Sequence, residues 1–152
     1  MRLFLLILCL SILLGACKKS DLENEEPSGP ISEIPYIELR DYSPKTISEF
    51  DSVVFTIFYR DGNGDLGQES ADSLSLWITD ERFPLTQGFH IPPLSPVDTS
   101  ISIQGVFDVT LRNVILESST SSEETVTFSI KMRDKAGNES NVVQSGEVTV
   151  QR

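Results

Sequence analysis

From Ile34 onward, apolar and polar residues alternate with a period of two rather than 3.6, the signature of strands with one buried face. The clearest run is Thr125 to Arg133, where Val126, Phe128, Ile130 and Met132 share one face and Thr125, Thr127, Ser129, Lys131 and Arg133 the other. Val53 to Tyr59 is the most apolar: Val53, Phe55, Ile57 and Tyr59 lie on one face, with Val54 and Phe58 flanking Thr56 on the second. That pattern predicts a central strand covered in part on both sides. Leu74, Leu76 and Ile78 alternate with Ser73, Ser75 and Trp77, and Phe107, Val109 and Leu111 with Asp108, Thr110 and Arg112. Ile37 with Leu39, Ile101 with Ile103, and Val148 with Val150 mark three further strands.

About seven strands therefore fall within residues 34–152, divided by clusters of Gly, Pro, Asn, Asp and Ser, and no stretch has the spacing and caps of an amphipathic helix. The expected fold is all-β: an antiparallel two-sheet sandwich, immunoglobulin-like or fibronectin-type. A jelly roll or small barrel is the alternative. The Cys pair of antibody domains is missing. Trp77 is out of phase with Leu74, Leu76 and Ile78, so either a bulge reverses it or it is exposed.

Two segments before Ile34 break the alternation. Residues 1–16 have a positive Arg2, an apolar run from Leu3 to Leu14, and small residues Gly15 and Ala16, the layout of a secretory signal peptide too short for a comfortable span. Leu14-Gly15-Ala16-Cys17 resembles the lipobox of bacterial lipoproteins. The resemblance implies cleavage before Cys17, lipidation of its sulfur, and anchorage of the protein to a membrane by acyl chains. Cys9 would leave with the signal, so no free thiol would remain. Residues 17–33 then read as the lipidated Cys and a flexible acidic tether, interrupted by Pro27, Gly29 and Pro30. Ser20-Asp21 and Glu23 resemble the acidic export signal of Bacteroidota lipoproteins, which implies the outer membrane and its cell-surface face; the periplasmic leaflet is the alternative.

Charge and composition narrow the function. The chain has 12 Lys+Arg against 23 Asp+Glu, a net charge of -11, which excludes nucleic acid as an expected partner. One His, His90, beside Pro92 and Pro93, leaves no basis for a His-dependent triad. Glu123 and Glu124 are adjacent on a strand and point apart, unlike a glycosidase pair. Trp77, Phe83 and Phe89 offer a stacking platform for sugar, with core or edge packing the expected use. No catalytic residue is assigned.

Two loops carry chemistry. The second strand runs into Asp61-Gly62-Asn63-Gly64-Asp65-Leu66-Gly67, with oxygen side chains at alternate positions around a glycine-rich turn. This is similar to Asp-x-Asn-x-Asp calcium loops, and hard cations take six to eight such oxygens. It departs from the EF-hand form: Leu66 stands where the sixth-position glycine belongs, the flank is a strand, and the twelfth position is Asp72. A solvated turn without metal is the alternative. The second loop, Arg133 to Asn141, contains Asp134-Lys135-Ala136-Gly137-Asn138 and resembles the Asp-x-Ala-Gly-Asn hairpin of bacterial immunoglobulin-like surface modules. In a seven-strand sandwich, loops after the second and sixth strands share a pole. The expected metal ligands are therefore Asp61, Asn63, Asp65, Asp72, Asp134 and Asn138, with Ca²⁺ as a structural ion and no other cofactor.

Taken whole, the chain resembles small Bacteroidota lipoproteins that join a lipobox to a Gly-Asp-Leu-Gly loop and a late Ala-Gly-Asn hairpin. The resemblance implies an envelope location and transfers no activity. The expected function is a lipid-anchored, non-catalytic binding or scaffolding module for a protein or glycan. The alternatives are an accessory subunit of an outer-membrane complex or a glycan-processing enzyme.

Overall fold

A computed structural model describes residues 30–83, 85–96 and 100–152. The signal segment, Cys17 and most of the tether lie outside the described residues. Within them the chain is all-β, with no helix and therefore none long and apolar enough to cross a membrane.

Ten strands follow in order: β1 (Tyr36–Ser43), β2 (Thr46–Ser48), β3 (Val53–Asp61), β4 (Leu76–Asp80), β5 (Leu85–Phe89), β6 (Ile103–Leu111), β7 (Glu123–Val126), β8 (Phe128–Met132), β9 (Val143–Gln144) and β10 (Val148–Gln151). They form three sheets, ordered β1-β3-β6, β2-β10-β7 and β5-β4-β8-β9. All pairings are antiparallel except β2 with β10.

The alternation seen in the sequence is the burial pattern. Val53, Phe55, Ile57 and Tyr59 of β3 are buried, as are Leu76 and Ile78 of β4 and Phe128, Ile130 and Met132 of β8. The Phe55 ring meets that of Phe128 edge-on at 5.5 Å, which joins the first sheet to the third through the core. Trp77 needs no bulge. It pairs in regular register with Lys131 and lies on the outer face, half-buried, with the Arg133 guanidinium 4.8 Å from its ring centre.

The count of ten exceeds the expected seven for identifiable reasons. Only Thr127 separates β7 from β8, and short breaks at Pro44–Lys45 and Ser145–Glu147 divide β1 from β2 and β9 from β10. Ile103 and Phe107, expected on two strands, share β6. Strand β5 was not expected, because Leu85, Thr86 and Gln87 are all exposed and an edge strand of that kind has no alternation to read. Leu74 lies outside β4 and is exposed.

Candidate functional site

The inward phase of two core strands ends in aspartate. In β3 the buried series Val53, Phe55, Ile57, Tyr59 continues to Asp61, which is 0% exposed. In the other layer Phe128, Ile130 and Met132 lead to Asp134, 2% exposed. Asp61 lies six positions after Phe55, and Asp134 six positions after Phe128. At about 3.3 Å per residue, two strands packed at their Phe rings reach the same level at their carboxylates. The loops that follow therefore meet: the Lys135 amide donates to Asp65 O at 3.2 Å.

The first loop is folded inward rather than spread on the surface. Leu66 is fully buried, the Gln68 amide donates to Ile91 O at 2.8 Å, and the Leu94 amide donates to Leu66 O at 3.1 Å. Gly62 lies against the chain at Ser32: its amide donates to Ser32 O at 2.7 Å, and a Cβ there would stand 2.7 Å from Ser32 backbone. Gly67 combines a φ of 87° with Pro92 backbone pressed against it, so both its conformation and its lack of a side chain are required. Asp61, Gly64, Leu66 and Gly67 are buried and Gly62, Asn63 and Asp65 half-buried, so the loop is packed on the body and reaches solvent from Glu69.

The carboxylates are unevenly satisfied. Asp61 Oδ2 accepts the Asp65 amide at 3.0 Å, and Asn63 Oδ1 accepts the same amide at 3.2 Å. Asp134 Oδ1 accepts the Asn138 amide at 2.7 Å, and Asp134 Oδ2 accepts Asn138 Nδ2 at 2.8 Å. Asp61 Oδ1 and Asp65 Oδ1, however, are buried without any hydrogen-bond partner. A buried, unpaired acceptor costs about 1–3 kcal/mol, and more when it is charged. Burial pushes the Asp61 carboxyl above the ordinary aspartate range, and the negative charges of Asp65 and Asp134 push it the same way. Asp65 is raised too, again by burial first and then by Asp134. Three carboxylates are thus mutual neighbours, Asp61 and Asp134 buried and Asp65 half-buried, where solvent screens them less than at the surface.

The structure brings together Asp61, Asn63, Asp65 and Asp134 of the expected ligands. Asn138 serves as a donor that fixes Asp134. Asp72 stays exposed, with its amide turned to Ser70 Oγ at 3.4 Å, and nothing places it in the cluster. Among the described residues, no three His, Cys, Asp or Glu side chains form a group that could hold a metal ion as they stand. A cation here would draw on the two orphaned carboxylate oxygens together with amide and backbone oxygens, the mixed donor set that calcium accepts.

Asn141 is a residue the sequence did not single out. Its Oδ1 accepts the Ile37 amide and its Nδ2 donates to Ile37 O, both at 2.9 Å, so it pairs with the first strand as a backbone would. A second acidic cluster lies apart from the first. Asp80, the next inward position after Leu76 and Ile78, is bonded by Arg82 Nε at 3.1 Å and Nη2 at 2.7 Å, while Arg82 Nη1 donates to Glu124 at 2.7 Å. Amides of Glu117 and Ser118 also donate to Glu124 and hold its carboxyl below the ordinary range, with Arg82 adding to the effect. Every charge in that cluster is paired. His90 Nδ1 lies 3.1 Å from Ser73 O, a structural contact. The aromatic platform is not assembled: Phe89 pairs with Leu76 and packs on the core, while Trp77 faces outward.

No protein-family model matches the chain, and no curated protein matches it. Among solved structures, one that matches is that of AvmM, described by the words "AvmM Catalyzes Macrocyclization in Alchivemycin A Biosynthesis". It is 16% identical, the alignment covers 80% of this chain and 91% of that one, and the TM-score is 0.37. A likeness at that level carries no argument about fold or chemistry.

Proposed function

We propose that the chain is a lipid-anchored, non-catalytic binding or scaffolding module of the bacterial outer membrane, displayed at the cell surface, with a calcium-ordered loop pole. The observation that carries the calcium reading is the pair of buried, unpartnered oxygens, Asp61 Oδ1 and Asp65 Oδ1, where two acidic loops meet. A divalent cation satisfies both oxygens and cancels the repulsion among Asp61, Asp65 and Asp134. The Leu14-Gly15-Ala16-Cys17 motif supports the anchor.

An immunoglobulin-like sandwich is the architecture this reading adopts. Joining β1 to β2, β7 to β8 and β9 to β10 across their short breaks leaves seven strands. The first then begins in one layer, beside β3, and crosses to the other, beside β10. The non-catalytic reading is supported by the state of the polar groups: outside the acidic junction, Asp80, Arg82, Glu124 and His90 are all engaged in structural bonds.

Calcium titrated into metal-stripped protein tests the reading. Extracellular modules bind calcium at about 10⁻⁴–10⁻³ M. At ten times the dissociation constant the fold gains ~1.4 kcal/mol, a rise of about 5 °C in melting temperature. Asp65→Ala is expected to abolish the rise. A melting temperature that does not move at millimolar calcium removes the calcium reading.

A further inference from the structure

The acidic junction does more than join two loops, because both loops also hold the segment that runs into β1. The first loop holds it at Ser32, through the Gly62 amide at 2.7 Å. The second holds it at Ile37, through both polar groups of Asn141 at 2.9 Å. Between these points the Ile34 amide donates to Ser32 Oγ at 3.0 Å, making a short turn, and Pro35 is buried. The segment 32–37 is thus strapped down by the residues that flank the three carboxylates: Gly62 is bonded to Asp61, and Asn141 closes the hairpin that begins with Asp134.

We propose that calcium at Asp61, Asp65 and Asp134 acts as a clasp on the tether junction, fixing where the tether leaves the folded body. This inference rests on the calcium reading above. With the ion bound, the loops are drawn together and their hold on Ser32 and Ile37 is stable. Without it, like charges force the loops apart and the strap opens locally, since an opening there breaks few bonds. A tethered module with a free junction samples many orientations; fixing the junction restricts them, so local calcium would set how the domain is presented above its proposed anchor.

The experiment is cleavage of the full chain by a glutamate-specific protease at Glu33, which is exposed but lies within the strapped turn. Cleavage requires an extended segment, so its rate follows the opening of the strap. Calcium at 2 mM, about twice the upper dissociation constant expected of such sites or more, is expected to slow cut formation at Glu33 at least threefold, with magnesium as the control ion. Gly62→Ala, whose Cβ would clash with the Ile31 and Ser32 backbone and which removes no carboxylate, is expected to keep the calcium-dependent rise in melting temperature and to be cut quickly at Glu33 with or without the ion. If calcium raises the melting temperature of the natural sequence but leaves Glu33 cleavage unchanged, the clasp is overturned and the calcium reading stands. If calcium changes neither, both fall. The comparison on the natural sequence decides the matter even if Gly62→Ala does not fold.

Discussion

Asp61 is a charged residue in a position that the strand assigns to the core. The residue is legible in the sequence once the phase is followed one step further: Val53, Phe55, Ile57 and Tyr59 point inward, so position 61 does as well. The same rule locates Asp134 after Met132 and Asp80 after Ile78, and all three are buried. What the sequence could not show is which of them are paired. Asp80 has Arg82 two residues away; the charges that bear on Asp61 and Asp65 are one another and Asp134, eased only by amides such as those of Gly64, Asp65 and Ala136. The expectation that failed to assemble, Asp72, came from counting twelve positions along an EF-hand frame that this loop does not follow. Asp61→Asn tests the residue-level account. It removes one buried charge and supplies a donor where Oδ1 had no partner. Metal-free stability is expected to rise by about 1 kcal/mol, and the response to calcium to vanish, both read by thermal melting. Acidity acts in the same direction. Because the folded-state carboxyls of Asp61 and Asp65 lie above the ordinary value of 3.8, the folded form holds more protons than the unfolded one across that window. Their contribution is fully present below 3.8 and is lost as pH rises through the raised values. Metal-free protein is therefore expected to gain stability as pH falls from neutral into that range, and Asp61→Asn to show less of the gain. Glu124, Glu139 and Asp41, all held below their ordinary values, oppose it lower down, losing stability as pH falls through their own range. A melting temperature of the natural sequence that only falls on acidification contradicts the account.

Elements were legible in proportion to how clearly one face is buried. β3, β8 and the inward residues of β4 and β6 were read correctly because burial imposes a two-residue period on their side chains. β5 was not, because its residues face solvent, and β2 and β9, of three and two residues, are too short to show a period. The site's loops were legible as loops from their glycines. Their inward folding was not, since it depends on Ile31, Ser32 and Pro92, distant in sequence, occupying the space where Cβ atoms would stand. The Arg82 cluster belongs to this scale too, for it ties the loop after β4 to β7 and to Ile115 O, which accepts Nη2 at 2.8 Å. Arg82→Ala leaves Asp80 and Glu124 without their cation. Breaking the enclosed Arg82–Asp80 pair is expected to destabilise by about 3 kcal/mol, read by urea unfolding. A loss below 0.5 kcal/mol, the ordinary range for a surface substitution, would show that the cluster is a surface ornament rather than a tie between layers.

At the scale of the whole molecule, the acidic junction is reached by β3 and β8 running the same way, with Phe55 against Phe128 between them. That shared direction is why loops far apart in sequence converge, and it was foreseeable only from an assumed topology. Ser32, just ahead of β1, is held at the same pole by the Gly62 amide, so the proposed tether would meet the body beside the candidate ion. Anchoring makes its own prediction: the full chain is expected in the membrane fraction, and Cys17→Ser in the soluble one, as judged by fractionation. A Cys17→Ser protein that still sediments with membranes would end the lipid-anchor proposal. Calcium occupancy is the claim on which most of the rest depends, and equilibrium dialysis of the metal-stripped chain against labelled calcium measures it directly. A single ion bound per chain at sub-millimolar to millimolar calcium, and none in Asp61→Asn, is the predicted result; binding that is absent, or that survives Asp61→Asn undiminished, contradicts it.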